Sequence, residues 1–388
     1  MKYSREQYFR IWLAGVDGIG AKSFARLITR YGSAEAVWEQ FGDSMRWIGE
    51  SAWRQMSEAH NREKATALIE SIDRCGASVI FCEDSEYPPL LREIIDPPPL
   101  LYVRGQRDIS DEWCVSIVGT RQPTAYGLRM TRQISGELAR SGVTVVSGFA
   151  RGIDTAAHTA AVDAGGRTIA VLGCGVDIVY PPENVELFER VLTSGGSIIS
   201  EFPPGSEPRG MHFPMRNRLI SGISRGVLMA EGKLKSGALH TVKSALEQNR
   251  EVFVLPGPAD SPNSGPGHQL LRDGARLVTS AVEILEDIHA ERIIQPKQTK
   301  LEEAAKPAPS KKKPPKKNDS VSEPDTQSSA KPPAKPPAEL SADETRVFDA
   351  LQTGISANNI DRIVETTGLS VSIVNTVLTT LTLKGIIQ

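Results

Sequence analysis

The chain has 388 residues, a hydrophobic fraction of 39%, a charged fraction of 24% and a formal net charge of −2. That length calls for two or three domains with ample core, and the near-neutral charge excludes a uniformly basic coat, so any polyanion must be held locally. No apolar run reaches the roughly 18 residues of a membrane span, the polar stretch Met1–Arg10 lacks a signal-peptide core, and Cys75, Cys82, Cys114 and Cys174 form no Cys-x-x-Cys pair; a cytoplasmic protein with no membrane, disulfide or metal chemistry is expected.

Residues 1 to about 75 carry apolar positions at helical spacing, Ile11, Leu13, Phe24, Leu27, Ile28, Val37 and Trp38, which predict a small helical unit. Its turn, Val16-Asp-Gly-Ile-Gly20, resembles a helix-hairpin-helix (or SAM-like) turn, whose amides can meet a DNA phosphate, with Lys22, Arg26 and Arg30 following on the second helix. A plain packing turn is the equal alternative.

From about 76 to 290 strands alternate with helices, which predicts a Rossmann-like α/β core, a parallel sheet with right-handed crossovers. Strands are expected at 114–118, 143–147, 167–172, 197–201, 226–230, 251–255 and 275–278, with helices at 127–141, 153–164, 183–194, 236–248 and 281–288. Twice an apolar strand runs into a glycine turn with an arginine, at Cys114-Val-Ser-Ile-Val-Gly-Thr-Arg121 and Val143-Thr-Val-Val-Ser-Gly-Phe-Ala-Arg-Gly-Ile-Asp154. Such a turn points backbone N–H groups and a positive helix end at an anion. Two further basic clusters, Phe213-Pro-Met-Arg-Asn-Arg-Leu-Ile-Ser221 and Lys233-Leu-Lys-Ser-Gly237, follow later strands, so all four gather where parallel sheets bind ligands. Several phosphate positions in one place point to a nucleic-acid backbone.

Residues 291–338 are rich in Lys, Pro, Ala and Ser; within them the stretch 295–338 has ten lysines against five acids, and a disordered linker is expected. Residues 339–388 show three helical patterns, the second at Ile360-Asp-Arg-Ile-Val-Glu-Thr-Thr-Gly-Leu-Ser370 and the third from Val371 to Leu383, and resemble a winged-helix domain. The third offers no cation until Lys384 and little follows it to form a wing, so a protein contact or structural cap is expected there rather than base readout.

Enzyme signatures are missing. No Gly-x-Gly-x-x-Gly follows the first core strand, no Walker A precedes Lys233 or Lys235, and the six histidines have no metal-ligand spacing. The remaining enzyme alternative is a nucleotide hydrolase of the phosphoribohydrolase kind, which needs a carboxylate beside a Gly-Gly-x-Gly-Thr turn. The comparable late turn, Leu255 to Gly267, has neither that turn nor its glutamate. Asp154 and His158 fall on one helical face, where a structural pair is expected rather than catalysis.

With Ser116-Ile-Val-Gly-Thr-Arg121, Ser147-Gly-Phe-Ala-Arg-Gly-Ile-Asp154, Phe213-Pro-Met-Arg-Asn-Arg-Leu-Ile-Ser-Gly222, Lys235-Ser-Gly237 and Val254-Leu-Pro-Gly257 in one order, the chain closely resembles the DNA-processing protein A family, DprA or Smf. The resemblance implies a single-stranded DNA binder that protects incoming DNA in natural transformation and helps load RecA, usually as a homodimer, with no cofactor and no catalytic residue. Position by position it implies DNA contacts from Arg121, from Ser147, Gly148, Arg151 and Gly152, from Arg216, Asn217 and Arg218, and from Lys235, Ser236 and Gly237. Phe213 matches the aromatic that would stack on a base; burial in the core is its alternative, and for Arg151 an ion pair with Asp154. Cations and turn amides would hold phosphates while an aromatic face accepts any base.

Overall fold

A computed structural model describes residues 2–234, 236–289, 341–352, 360–370 and, beyond those, residues 373, 374, 377, 378, 380 and 381. They form two compact units, one within 1–308 and one within 309–388. The expected linker, Lys235, Lys384 and much of the third winged-helix pattern lie outside the described residues.

The first unit opens with five helices, α1 (Arg5–Ala14), α2 (Ala21–Tyr31), α3 (Ala34–Glu39), α4 (Glu50–Ala59) and α5 (Arg62–Arg74). Ser4 starts α1 with a reciprocal capping box to Gln7, satisfying two backbone donors at once. Phe9, Trp12, Leu13, Phe24, Leu27, Val37 and Trp38 meet in one cluster, while Ile11 faces the other way onto Val79, Phe81 and Tyr102. The apolar positions read from the sequence are buried, Ile28 only in part.

The sheet follows: β1 (Ser78–Phe81), α6 (Pro89–Arg92), β2 (Leu100–Gly105), β3 (Cys114–Val118), α7 (Ala125–Arg140), β4 (Thr144–Ser147), α8 (Ile153–Asp163), β5 (Thr168–Val171), α9 (Val185–Thr193), β6 (Ser197–Ser200), α10 (His212–Ile223), β7 (Gly226–Met229), α11 (Gly237–Glu247), β8 (Glu251–Val254), α12 (Gly265–Arg272), β9 (Arg276–Leu277) and α13 (Ala281–Asp287). The strand order is β1-β2-β6-β5-β4-β3-β7-β8-β9. Seven strands, from β6 across to β9, run parallel, as expected. The edge differs: β2 is antiparallel to β6 and β1 to β2. These two strands were not expected, because Ser78–Phe81 and Leu100–Gly105 are short apolar runs without the flanking helix pattern that marks a crossover.

Helices cover both faces, so the inner strands are buried on both sides and read as continuous apolar runs. Val115 and Ile117 pack under α7, α8 and α13; Cys114 and Val118 face α10 and α11. Ser116, between them, spends its hydroxyl on the Ile220 carbonyl at 2.8 Å. The chain winds from β3 outward to β6 and then returns to place β7 against the other side of β3. That reversal opens a crevice beyond the carboxyl ends of β3 and β7, where neighbouring crossovers diverge.

In the second unit α14 (Ala342–Gln352) and α15 (Ile360–Thr367) close over Val347, Phe348, Ile363, Val374, Val377 and Leu381.

Candidate nucleic-acid interface

A cleft of about 850 Å³ occupies the crevice. The turn after β3 supplies Gly119–Gln122, the turn after β4 supplies Ala150, the start of α8 supplies Asp154, α10 supplies Phe213, Arg216 and Asn217, and Lys233, Ser236, Gly237, His240 and Thr241 line the far wall. Four loops from different strand ends thus share one cavity.

The two glycine turns are fastened to each other. Gly152 has φ +80°, a conformation costly for any side chain. A β-carbon there would also come within 2.5 Å of the Thr120 carbonyl oxygen and 2.9 Å of the Arg121 Cα. Gly148 is required for a different reason: a β-carbon would stand 2.7 Å from the Arg216 guanidinium and 2.8 Å from the Asp154 carboxylate. From the other side Glu231, just past β7, accepts from the Thr124 backbone N–H at 2.9 Å, and its own carbonyl accepts from Thr120 at 2.8 Å. The Arg121 loop is therefore clamped on two sides.

Arg121 is exposed and its guanidinium lies 5.8 Å from the centre of the Phe213 ring. Phe213, in the first turn of α10, is half-buried and has Tyr180 beside it at 5.5 Å between ring centres. The aromatic face is thus set next to a cation, where a base can stack while its phosphate is held. Ser236 and Gly237 begin α11, whose first turn has no side-chain cap and lines the cleft with its N–H end. Asn217 ties that turn down by donating to the Gly237 carbonyl at 3.1 Å.

Arg216 occupies a different position from the one expected of a phosphate ligand. It is 4% exposed and donates to the carbonyls of Gly148, at 2.8 Å, and Val171. Burial pulls its pKa down to about 10, partly offset by Asp154. Asp154 itself is pushed up to about 6 by burial, with Arg216 and the Ala150 amide working against the rise. Arg216 makes no carboxylate ion pair among the described residues, so the floor of the cleft is a cation facing the partly suppressed Asp154, with Glu201 also acting on it.

Several other expectations are corrected. Arg218 points away from the cleft, held by Glu201 at 2.7 Å and Asp96 at 3.2 Å, because the two residues from Arg216 turn the side chain by about 200° around α10. Ser147 lies inside the sheet and donates to the Ile117 carbonyl at 2.6 Å. Arg151 pairs with Glu183 at 2.7 Å rather than with Asp154. His158 is fully buried against Thr168 at 2.7 Å, its pKa lowered to about 3 by burial, and forms no pair with Asp154. The hairpin turn after α1 lines a second cleft, with Asp17 bound to Arg209 at 3.0 Å and Gly18 and Gly20 exposed. Sequence reasoning missed Tyr180, Glu231 and Glu183; an aromatic before Pro181-Pro182, a rigid turn after a strand, was the available signal for the first.

Residues 78–289 match the family model described as DNA recombination-mediator protein A, and residues 331–388 match the DprA winged helix domain. The chain is 39% identical to Protein Smf of Synechocystis over 75% of its length and 74% of that protein's. It is 42% identical to the DNA processing protein DprA of Bacillus subtilis over 57% of its length and 74% of that relative's. Among solved structures it resembles DNA processing protein A of Streptococcus pneumoniae, with a TM-score of 0.62, 33% identity, and 74% of this chain and 98% of that one covered. It also resembles the Helicobacter pylori protein of the same name, reported for its unique single-stranded DNA binding mode, with a TM-score of 0.50, 28% identity, and 55% and 96% coverage.

Proposed function

Since this chain belongs to the DNA recombination-mediator protein A family, we propose that it binds single-stranded DNA in the cleft beyond β3 and β7 and acts as a recombination mediator in natural transformation. The observation that carries the reading is Arg121 set over Phe213 at the mouth of a cleft with Arg216 as its floor. A cation holds a phosphate of any nucleotide, and an aromatic face accepts any base, so the binding is sequence-tolerant. Phosphate contacts come from Arg121, Lys233, the amides at Ser236 and Gly237 and the undescribed Lys235; Gly148, Gly152, Arg216 and Asn217 shape the floor.

We read the chain as a binder rather than a hydrolase. Asp154 is buried beside Arg216, and Glu231 is engaged with Thr124 and Asn263, so neither is an exposed general base. Handing the strand to RecA, assembly as a homodimer and work in the cytoplasm complete the proposal, with residues 76–290 as the DNA-binding core between the flanking 1–75 helical region and the 291–338 and 339–388 segments. No described helix is long and apolar enough to cross a membrane.

The test is titration of oligo-dT and of duplex of equal length at several salt concentrations, followed by RecA filament assembly on strand coated with single-strand binding protein. Equal affinity for both DNAs argues against the cleft as a single-strand site, and ATP or nucleotide turnover by the purified chain argues for an enzyme.

A further inference from the structure

The helical region carries a basic surface that the cleft does not use. Lys22, Arg26 and Arg30 lie at four-residue intervals on α2, so they form one stripe with an axial step of about 6 Å. All three are exposed. Arg26 and Arg30 both lie over the ring of Trp47, at 4.8 and 4.9 Å. None of the three makes an ion pair among the described residues, although their neighbours do: Arg5 holds Glu35 and Glu39, and Arg46 holds Asp43 and Glu50. The acids nearest along the chain to Trp47 are thereby neutralised, and the stripe keeps its charge.

Two guanidiniums resting on one indole lose little further freedom when they bind, because the ring already fixes their planes and leaves their N–H edges for an acceptor. The ligand that fits three cations in a row, two of them held on one ring, is a chain of phosphates. An acidic peptide would suit the charge but gains nothing from the even step along the helix.

We propose that the Lys22–Arg26–Arg30 face of α2, backed by Trp47, is a second contact for single-stranded DNA, engaged by strands too long to be housed in the cleft alone. The contact lies on the exposed face of the helix and is separate from the hairpin turn, which lines the second cleft. It rests on the reading of this chain as a single-strand binder, and its consequence is a length dependence: short strands bind through the cleft, longer strands through both surfaces.

The experiment compares the full-length chain with the Arg26→Gln/Arg30→Gln variant and with Arg121→Ala, using oligo-dT from a few nucleotides upward at several salt concentrations. The double variant is expected to bind the shortest strands like the wild type. On long strands it should lose about fivefold or more in affinity at low salt, with a salt slope smaller by about 1.4, which is two phosphate contacts. Wild-type affinity and slope on long strands overturn the proposal. Arg121→Ala should weaken short and long strands alike; if it changes neither while the double variant loses long-strand binding, the cleft reading fails and this one stands. Should the double variant not fold, protection of Arg26 and Arg30 from phenylglyoxal in the wild-type chain decides: long oligo-dT must protect them and the shortest must not.

Discussion

Gly152 is packed directly against Arg121: with φ +80° it brings its Cα so close that a single added methyl would strike the Arg121 backbone at 2.9 Å and the Thr120 carbonyl at 2.5 Å. The two strand-ending turns therefore form one rigid unit, and the direction of Arg121 depends on the absence of a side chain 31 positions later.

Gly152→Ala should accordingly destabilise the fold by about 1–3 kcal/mol, from backbone strain alone, and weaken single-strand binding beyond what the folded fraction accounts for. Denaturant titration and fluorescence anisotropy on the same samples check this. Wild-type values on both would mean the turns are not coupled.

Arg121→Ala and Phe213→Ala should separate charge from stacking. The arginine change lowers the salt slope by about 0.7, one phosphate, with little effect on melting because the side chain is exposed. The phenylalanine change weakens binding by about 1–3 kcal/mol while leaving the slope unchanged. Tyr180→Ala should act in the same sense as Phe213→Ala, and more weakly. A fall in salt slope with Phe213→Ala would contradict the stacking role.

Arg216→Ala should damage the fold itself. It leaves the Gly148 and Val171 carbonyls without their donor and Asp154 without its cation, a loss of about 1–3 kcal/mol for buried acceptors. Arg218→Ala should also destabilise, by releasing Glu201 and Asp96, yet leave the DNA salt slope untouched. Thermal melting and salt-dependent titration distinguish the two; a changed slope for Arg218→Ala would place it on the DNA.

Asp154, pushed up to about 6, predicts tighter binding in mild acid. Protonation removes the Asp154 charge beside Arg216, so affinity should rise as pH falls from about 7.5 through 6 and level off below it. Asp154→Asn should bind at neutral pH as the wild type does in acid and flatten this profile. The stability sign agrees: between the ordinary aspartate value and 6 the folded state holds a proton the unfolded chain has lost, so the group favours folding on the acid side and that contribution disappears as pH rises through 6. His158, lowered to about 3, acts oppositely, since the unfolded chain takes its proton first. An unchanged pH profile in Asp154→Asn would remove Asp154 from the site.

The sequence by itself determined the strands from Cys114 to Leu277 and the helices between them other than α10 and α12, because strands buried on both faces must be apolar throughout and each helix needs a start signal. It also determined that the glycine turns, Arg121 and Phe213 would meet at one edge, since parallel strands bring their carboxyl ends to the same side. What only the tertiary structure decided is which of the neighbouring polar groups faces the cleft. Arg216 and Arg218 are two residues apart and chemically identical, yet the turn of about 200° between them on α10 sends one under the Gly148 turn and the other to Glu201. Ser147 is held in the sheet by its bond to the Ile117 carbonyl, and Arg151 pairs with a glutamate 32 positions away that no local pattern connects to it. Hydrogen bonds and ion pairs of this kind form between groups that the packing of distant elements brings within reach, and one-dimensional spacing carries no record of them.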